Sequence, residues 1–126
     1  MKYDETQLIE FFGALPSDQC QGEKDFFGTT VFNYQQGRYQ LPISFSAHRN
    51  DFYLDLKDAE LAVSILELRL GRVEEIRVRR DKPGSEPVLI AVAGGEGGDG
   101  KKEVLMQTIG IMLEPNICVR MSNQLE

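Results

Sequence analysis

The chain has 126 residues, a mass of 14.2 kDa, a formal net charge of −6 at pH 7 and a sequence pI near 4.8. That length fits a single domain, residues 1–126, able to bury a core without disulfide or metal staples. The acidity disfavours nucleic acid and anionic membrane as partners, since both repel it, and favours a basic partner or simply solubility.

The charge is uneven: residues 1–68 hold 11 acids against 5 bases, whereas residues 69–126 balance at 9 each. Met1-Lys2-Tyr3-Asp4-Glu5 is polar at once, and apolar runs such as Val88 to Ala93 are too short to cross a bilayer. A cytoplasmic location is therefore expected. Cys20 and Cys118 lie almost a chain length apart with no CxxC spacing. They read as isolated thiols of a reduced compartment, although a fold that joined the two ends would let them pair.

Asp4 to Ala14 reads as a helix. Leu8, Phe11, Phe12 and Leu15 recur at helical spacing, Asp4 stands as N-cap and Glu5 in the first turn, and Gly13 and Pro16 end the segment. Ser17 to Asp25 is polar and reads as a surface loop. Thr29 to Tyr34 is a strand rich in β-branched and aromatic residues, and Gln35-Gln36-Gly37 turns it back.

The clearest signal is Arg38 to Asp58. Tyr39, Leu41, Ile43, Phe45 and Ala47 alternate with polar residues, and after His48-Arg49-Asn50-Asp51 the alternation resumes at Phe52, Leu54 and Leu56. Period two on both sides of a short polar break predicts a half-buried antiparallel hairpin. Pro42 lacks a backbone donor, which predicts an edge strand or a bulge there.

Residues 59–80 admit two readings. As strands, Leu61, Val63 and Ile65 share one face and Leu66, Leu68 and Leu70 the other, so the slip at Ile65-Leu66 implies a β-bulge or a strand passing between layers. As a helix, Leu61, Ile65 and Leu68 also align. Gly71 ahead of Val73 to Val78 favours two strands. Asp81 to Ser85 is a turn, and Val88 to Ala93 a central strand buried on both sides. Val104 to Leu113 is strand or helix. Glu114-Pro115-Asn116 turns into a last strand, Ile117 to Met121, beyond which the tail is expected to fray. The predicted class is α+β, mostly β: one N-terminal helix followed by an antiparallel curved sheet or sandwich of about six to eight strands.

Chemistry is sparsely signalled. Gly95-x-x-x-x-Gly100-Lys101 follows a strand as a P-loop does, but Lys102 stands where the Mg²⁺-binding hydroxyl belongs, and 24 residues are too few for the remainder of a nucleotide fold. Gly94 to Asp99 opens like a calcium-binding β-helix repeat, yet Lys101 replaces its apolar residue and there is one copy. The 94–102 glycine loop is read as a mobile hairpin connection. His48 is the single histidine, so no imidazole cluster can form, and it falls beside a predicted turn. Arg77, Arg79, Arg80 and Lys82 lack interleaved aromatics and have Glu74, Glu75 and Asp81 among them; they read as a charged, protected edge. No catalytic residue, cofactor or metal site is expected. The outward row Asp51, Tyr53, Asp55 and Asp58 is the candidate partner-binding site, an aromatic anchor among carboxylates suited to a basic partner.

Leu8 to Pro16 (LIEFFGALP) leading into the β-rich Leu41 to Leu56 (LPISFSAHRNDFYLDL), in a short acidic chain without an assembled active site, resembles the small immunity proteins of bacterial toxin–immunity systems. The resemblance implies a non-catalytic cytoplasmic protein that neutralises a cognate, basic toxin by covering its basic site with an acidic face. Type III secretion chaperones are similar in size and charge but end in a further helix, which has no counterpart after Met121. A small enzyme or ligand-binding domain using the 94–102 loop is the third reading.

Overall fold

A computed structural model describes residues 1–18, 29–80, 84–96 and 104–125. Among them are one helix, eight strands of seven to nine residues and a ninth of two, arranged as two antiparallel sheets. The architecture is mostly β behind an N-terminal helix, as the periodicity predicts. The chain divides into two compact units, Phe12–Gly71, and Met1–Phe11 together with Arg72–Glu126.

The unit Phe12–Gly71 is built on five strands in sequence order: β1 (Ser17–Asp18), β2 (Thr29–Gln36), β3 (Tyr39–Ser46), β4 (Asp51–Asp58) and β5 (Val63–Leu70). The hairpin of β3 and β4 forms where the alternation places it, with Phe45 opposite Phe52 and Ile43 opposite Leu54. Its turn is secured by the buried Ser46 Oγ, which accepts from the Arg49 amide at 3.2 Å, and Asn50 takes a left-handed φ of 55°. Phe32, Leu41, Ile43, Phe45, Phe52, Leu54 and Leu70 are buried on one face. Each such side chain contributes about 1.5–3 kcal/mol relative to exposure. Phe12 stacks on Phe32 with ring centroids 4.8 Å apart, and Phe32 lies 6.4 Å from Phe45.

Three expectations change here. Pro42 does not mark an edge: β3 lies inside the sheet between β2 and β4. The ladder to β4 instead lapses at Leu41 and Pro42, resuming at Ile43, which is how an interior strand accommodates a missing N–H. Ser17 and Asp18, read as loop, pair with Val31 and Thr30; residues 19–25 of that loop lie outside the described residues. The ambiguous 59–70 segment is a turn followed by strand β5. Leu56 pairs with Leu66 but Lys57 with Ser64, so Ile65 is the extra residue of a β-bulge. The slip in the hydrophobic pattern falls at the same place.

In the unit Met1–Phe11 with Arg72–Glu126, β6 (Val73–Arg79), β7 (Val88–Glu96), β8 (Val104–Met112) and β9 (Cys118–Leu125) follow one another in a four-stranded sheet. Val88 to Ala93 lies in an interior strand, with Leu89, Ile90, Ala91 and Ala93 buried. Val104 to Met112 is a strand because β7 and β9 satisfy its backbone on both sides. The tail does not fray at Met121. Ser122, Asn123 and Gln124 continue the ladder opposite Thr108, Gln107 and Met106, since main-chain pairing does not depend on apolar side chains. β6 is an edge strand, and Lys2 bridges it: the Lys2 amide donates to the Glu74 carbonyl and the Ile76 amide to the Lys2 carbonyl, both at 2.8 Å. Glu74 is the bulged residue of β6, and a Cβ on Gly94 would overlap its carboxylate.

Helix α1 (Glu5–Phe12) starts as expected, with Asp4 Oδ1 accepting from the Thr6 amide at 2.9 Å and the Gln7 amide at 3.4 Å. Leu8 and Phe12 are buried. The apolar stripe stops there, because Gly13 at φ 67° ends the helix and leaves Leu15 77% exposed. Cys118 carries a free, half-buried thiol; Cys20 lies outside the described residues.

Candidate functional site

The row of polar side chains on β4 forms the candidate site. Asp51, Tyr53 and Asp55 alternate with the buried Phe52 and Leu54, so all three lie on the polar face of the sheet. Asp51 is partly exposed and pairs with Arg49 at 3.4 Å. Tyr53 sits opposite Arg69 of β5, whose guanidinium lies 4.9 Å from the ring centroid. This cation–π contact holds the ring on the sheet surface.

Asp55 is placed differently from its neighbours. Its side chain is only 9% exposed although it belongs to the polar face, and Oδ1 accepts no hydrogen bond from the described residues. Oδ2 lies 3.5 Å from Lys57 Nζ, and the residue directly opposite on β5 is the exposed Glu67. Two acidic residues are therefore paired across one rung of the ladder.

Asp58 leaves the row. It shares the parity of Phe52 and Leu54 and closes the turn after β4. Oδ1 accepts from Arg38 Nε at 3.1 Å and from the Glu60 and Leu61 amides at 3.0 and 3.2 Å, while Oδ2 meets Arg38 Nη2 at 2.9 Å. The hydrogen bond from Arg38, with help from the turn amides and against the opposing effect of burial, holds this carboxyl below the usual aspartate range. The same bond raises the Arg38 guanidinium. Arg38 Nη1 also reaches Glu60 at 3.4 Å.

Each of the three aspartates Asp51, Asp55 and Asp58 thus has a basic side chain within 3.5 Å, and the row is less acidic than its sequence alone implies. The pair of Asp51 with Arg49 is of the exposed kind worth about 0–1 kcal/mol, which a partner's cation can displace; that of Asp55 joins a buried carboxylate to a half-exposed lysine, and that of Asp58 is tied into the turn.

Sequence reasoning passed over two further sets of residues. Arg69 and Glu67 reach the polar face only because the bulge at Ile65 sets their register against Tyr53 and Asp55. Leu61, Val63 and Ile65 are 64, 50 and 52% exposed, a run of aliphatic surface at the start of β5. Val63 also lines a shallow groove with Gln40, Lys57, Asp58, Ala59, Ala62 and Ser64. The alternation of these aliphatics was visible in the sequence; their exposure was not.

His48 is exposed in the turn between β3 and β4. Most of the 94–102 glycine loop lies outside the described residues, Gly94 to Glu96 forming the end of β7. Among the described residues, no three His, Cys, Asp or Glu side chains gather as metal ligands, and no helix is long and apolar enough to cross a membrane.

No family model matches the sequence, and no curated protein does. Its fold matches a solved chain. That chain belongs to a contact-dependent growth inhibition toxin–immunity protein complex from Klebsiella pneumoniae 342, with a TM-score of 0.73 over 97% of this chain and 95% of that one. At 17% identity the likeness establishes a shared fold, in agreement with the resemblance to immunity proteins drawn from the sequence.

Proposed function

We propose that this chain is a bacterial immunity protein, acting in the cytoplasm without catalysis, that binds a cognate toxin and covers a basic site on it. The observation that carries this reading is the fold likeness over nearly the whole length of both chains. The net charge of −6 supports it, because an acidic inhibitor is steered toward a basic target. We place the contact on the polar face of β4, with Tyr53 as aromatic anchor and Asp51 and Asp55 beside it. Asp58 belongs to the same site as a positioning residue, since its carboxylate is spent on Arg38 and the turn. Association exchanges the internal ion pairs of Asp51 and Asp55 for pairs with the toxin.

The test is expression of the neighbouring gene's product in a bacterial host, with and without this chain. Growth arrest by that product, relieved by this chain through a one-to-one complex, is the expected result. Arrest by this chain alone would make it the toxic member of such a pair. A complex with a non-toxic secreted protein would favour a chaperone. Absence of any complex would overturn the binding reading.

A further inference from the structure

Asp55 and Glu67 stand directly opposite each other on β4 and β5, an arrangement that disfavours the sheet when both are ionised. Asp55 is nine-tenths buried on the polar face, and its Oδ1 has no donor among the described residues. Leaving a buried carboxylate oxygen unpaired is costly, so Oδ1 needs a donor that the described residues do not supply. The cation the structure places at Asp55 is Lys57, 46% exposed and 3.5 Å from Oδ2, and it leaves Oδ1 without a donor.

From these contacts we infer that Asp55 and Glu67 together receive one arginine side chain of the toxin. The inference rests on the immunity reading and specifies its chemistry. Two acidic residues paired on neighbouring strands suit a planar donor whose N–H groups are spread over several nitrogens, which a guanidinium has and an ammonium, with all its N–H groups on one atom, lacks. Lys57 swings aside to admit it, as its exposure permits. The arriving cation satisfies Asp55 Oδ1 and removes the repulsion with Glu67 in one step. The free chain thus carries a local instability that the complex relieves.

The experiment measures binding of the purified product of the neighbouring gene to wild type, Asp55→Asn, Glu67→Gln and Lys57→Met, together with the thermal midpoint of each free chain. Asp55→Asn and Glu67→Gln are expected to weaken binding on the order of thirtyfold or more, with midpoints unchanged or raised. Lys57→Met, which removes the internal competitor, is expected to tighten binding on the order of threefold. A purely structural role for Asp55 would lower its midpoint, leave Glu67→Gln and Lys57→Met without effect on binding, and overturn the inference. Wild-type binding matched by all three variants would overturn the arginine site while leaving the immunity reading intact. No binding by wild type would overturn both.

Discussion

Arg38 and Asp58, twenty residues apart, form a two-pronged ion pair at the end of the β3–β4 hairpin, Nε to Oδ1 at 3.1 Å and Nη2 to Oδ2 at 2.9 Å. The Arg38 carbonyl also accepts from the Ala59 amide at 2.7 Å, so main chain and side chain close the same junction. The turn that follows is bound to Asp58 by the Glu60 and Leu61 amides. Through Ala62, at φ 54°, it delivers the chain into β5. The pair therefore governs how β5 enters the sheet.

This arrangement predicts an acid dependence. The folded-state pKa of Asp58 is depressed, so its stabilisation is complete above the unfolded aspartate value of about 3.9 and is lost as pH falls through the lower folded value. Thermal midpoints measured from pH 6 down to about pH 2 should fall less steeply for Asp58→Asn than for wild type, with the two curves converging at the acid end. Parallel curves would show that the pair contributes no pH-dependent stability.

Gly13 ends α1 in a left-handed conformation, and open space surrounds the position where a Cβ would stand. The cost of a side chain there is conformational rather than steric. Gly13→Ala should destabilise the protein by about 1–2 kcal/mol in urea unfolding, and Gly13→Asn by less, since Asn tolerates this region. Equal losses for both would contradict that account.

Phe32 is fully buried between Phe12 and Phe45. Phe32→Ala should cost about 3–5 kcal/mol, whereas Phe32→Leu should cost much less because most of the volume is retained. Denaturant midpoints at constant slope are the measurement. A small loss for the alanine variant would mean that the aromatic stack collapses to fill the space.

Leu61, Val63 and Ile65 are exposed in the free chain, so replacing Leu61 or Val63 with serine should leave stability within about 0.5 kcal/mol. Tyr53→Ala should likewise keep the fold but weaken the proposed toxin complex by about 2 kcal/mol, the scale of an aromatic anchor. Circular dichroism and calorimetry separate the two effects. A misfolded Tyr53→Ala chain would move that residue from the binding surface to the scaffold.

Much of the scaffold could be read locally. The hairpin from Tyr39 to Asp58 follows from strict alternation, the Asp4 cap from residue type, and the bulge at Ile65 from a one-residue slip in the hydrophobic pattern. Each depends on neighbours in the chain. The reach of the final strand did not show, because Ser122 to Gln124 are held by the backbone of β8, to which their polarity is irrelevant.

The candidate site was half legible for the same reason. By itself the sequence determined which side chains of β4 alternate toward the polar face, because the pleat makes orientation a property of position along one strand. Tertiary structure alone decided that Asp55 is buried and paired with Glu67 across the ladder, that Arg69 covers Tyr53, and that Asp58 is taken by Arg38. Those facts depend on the register between strands, and register is set by pairing energies distributed over the whole sheet.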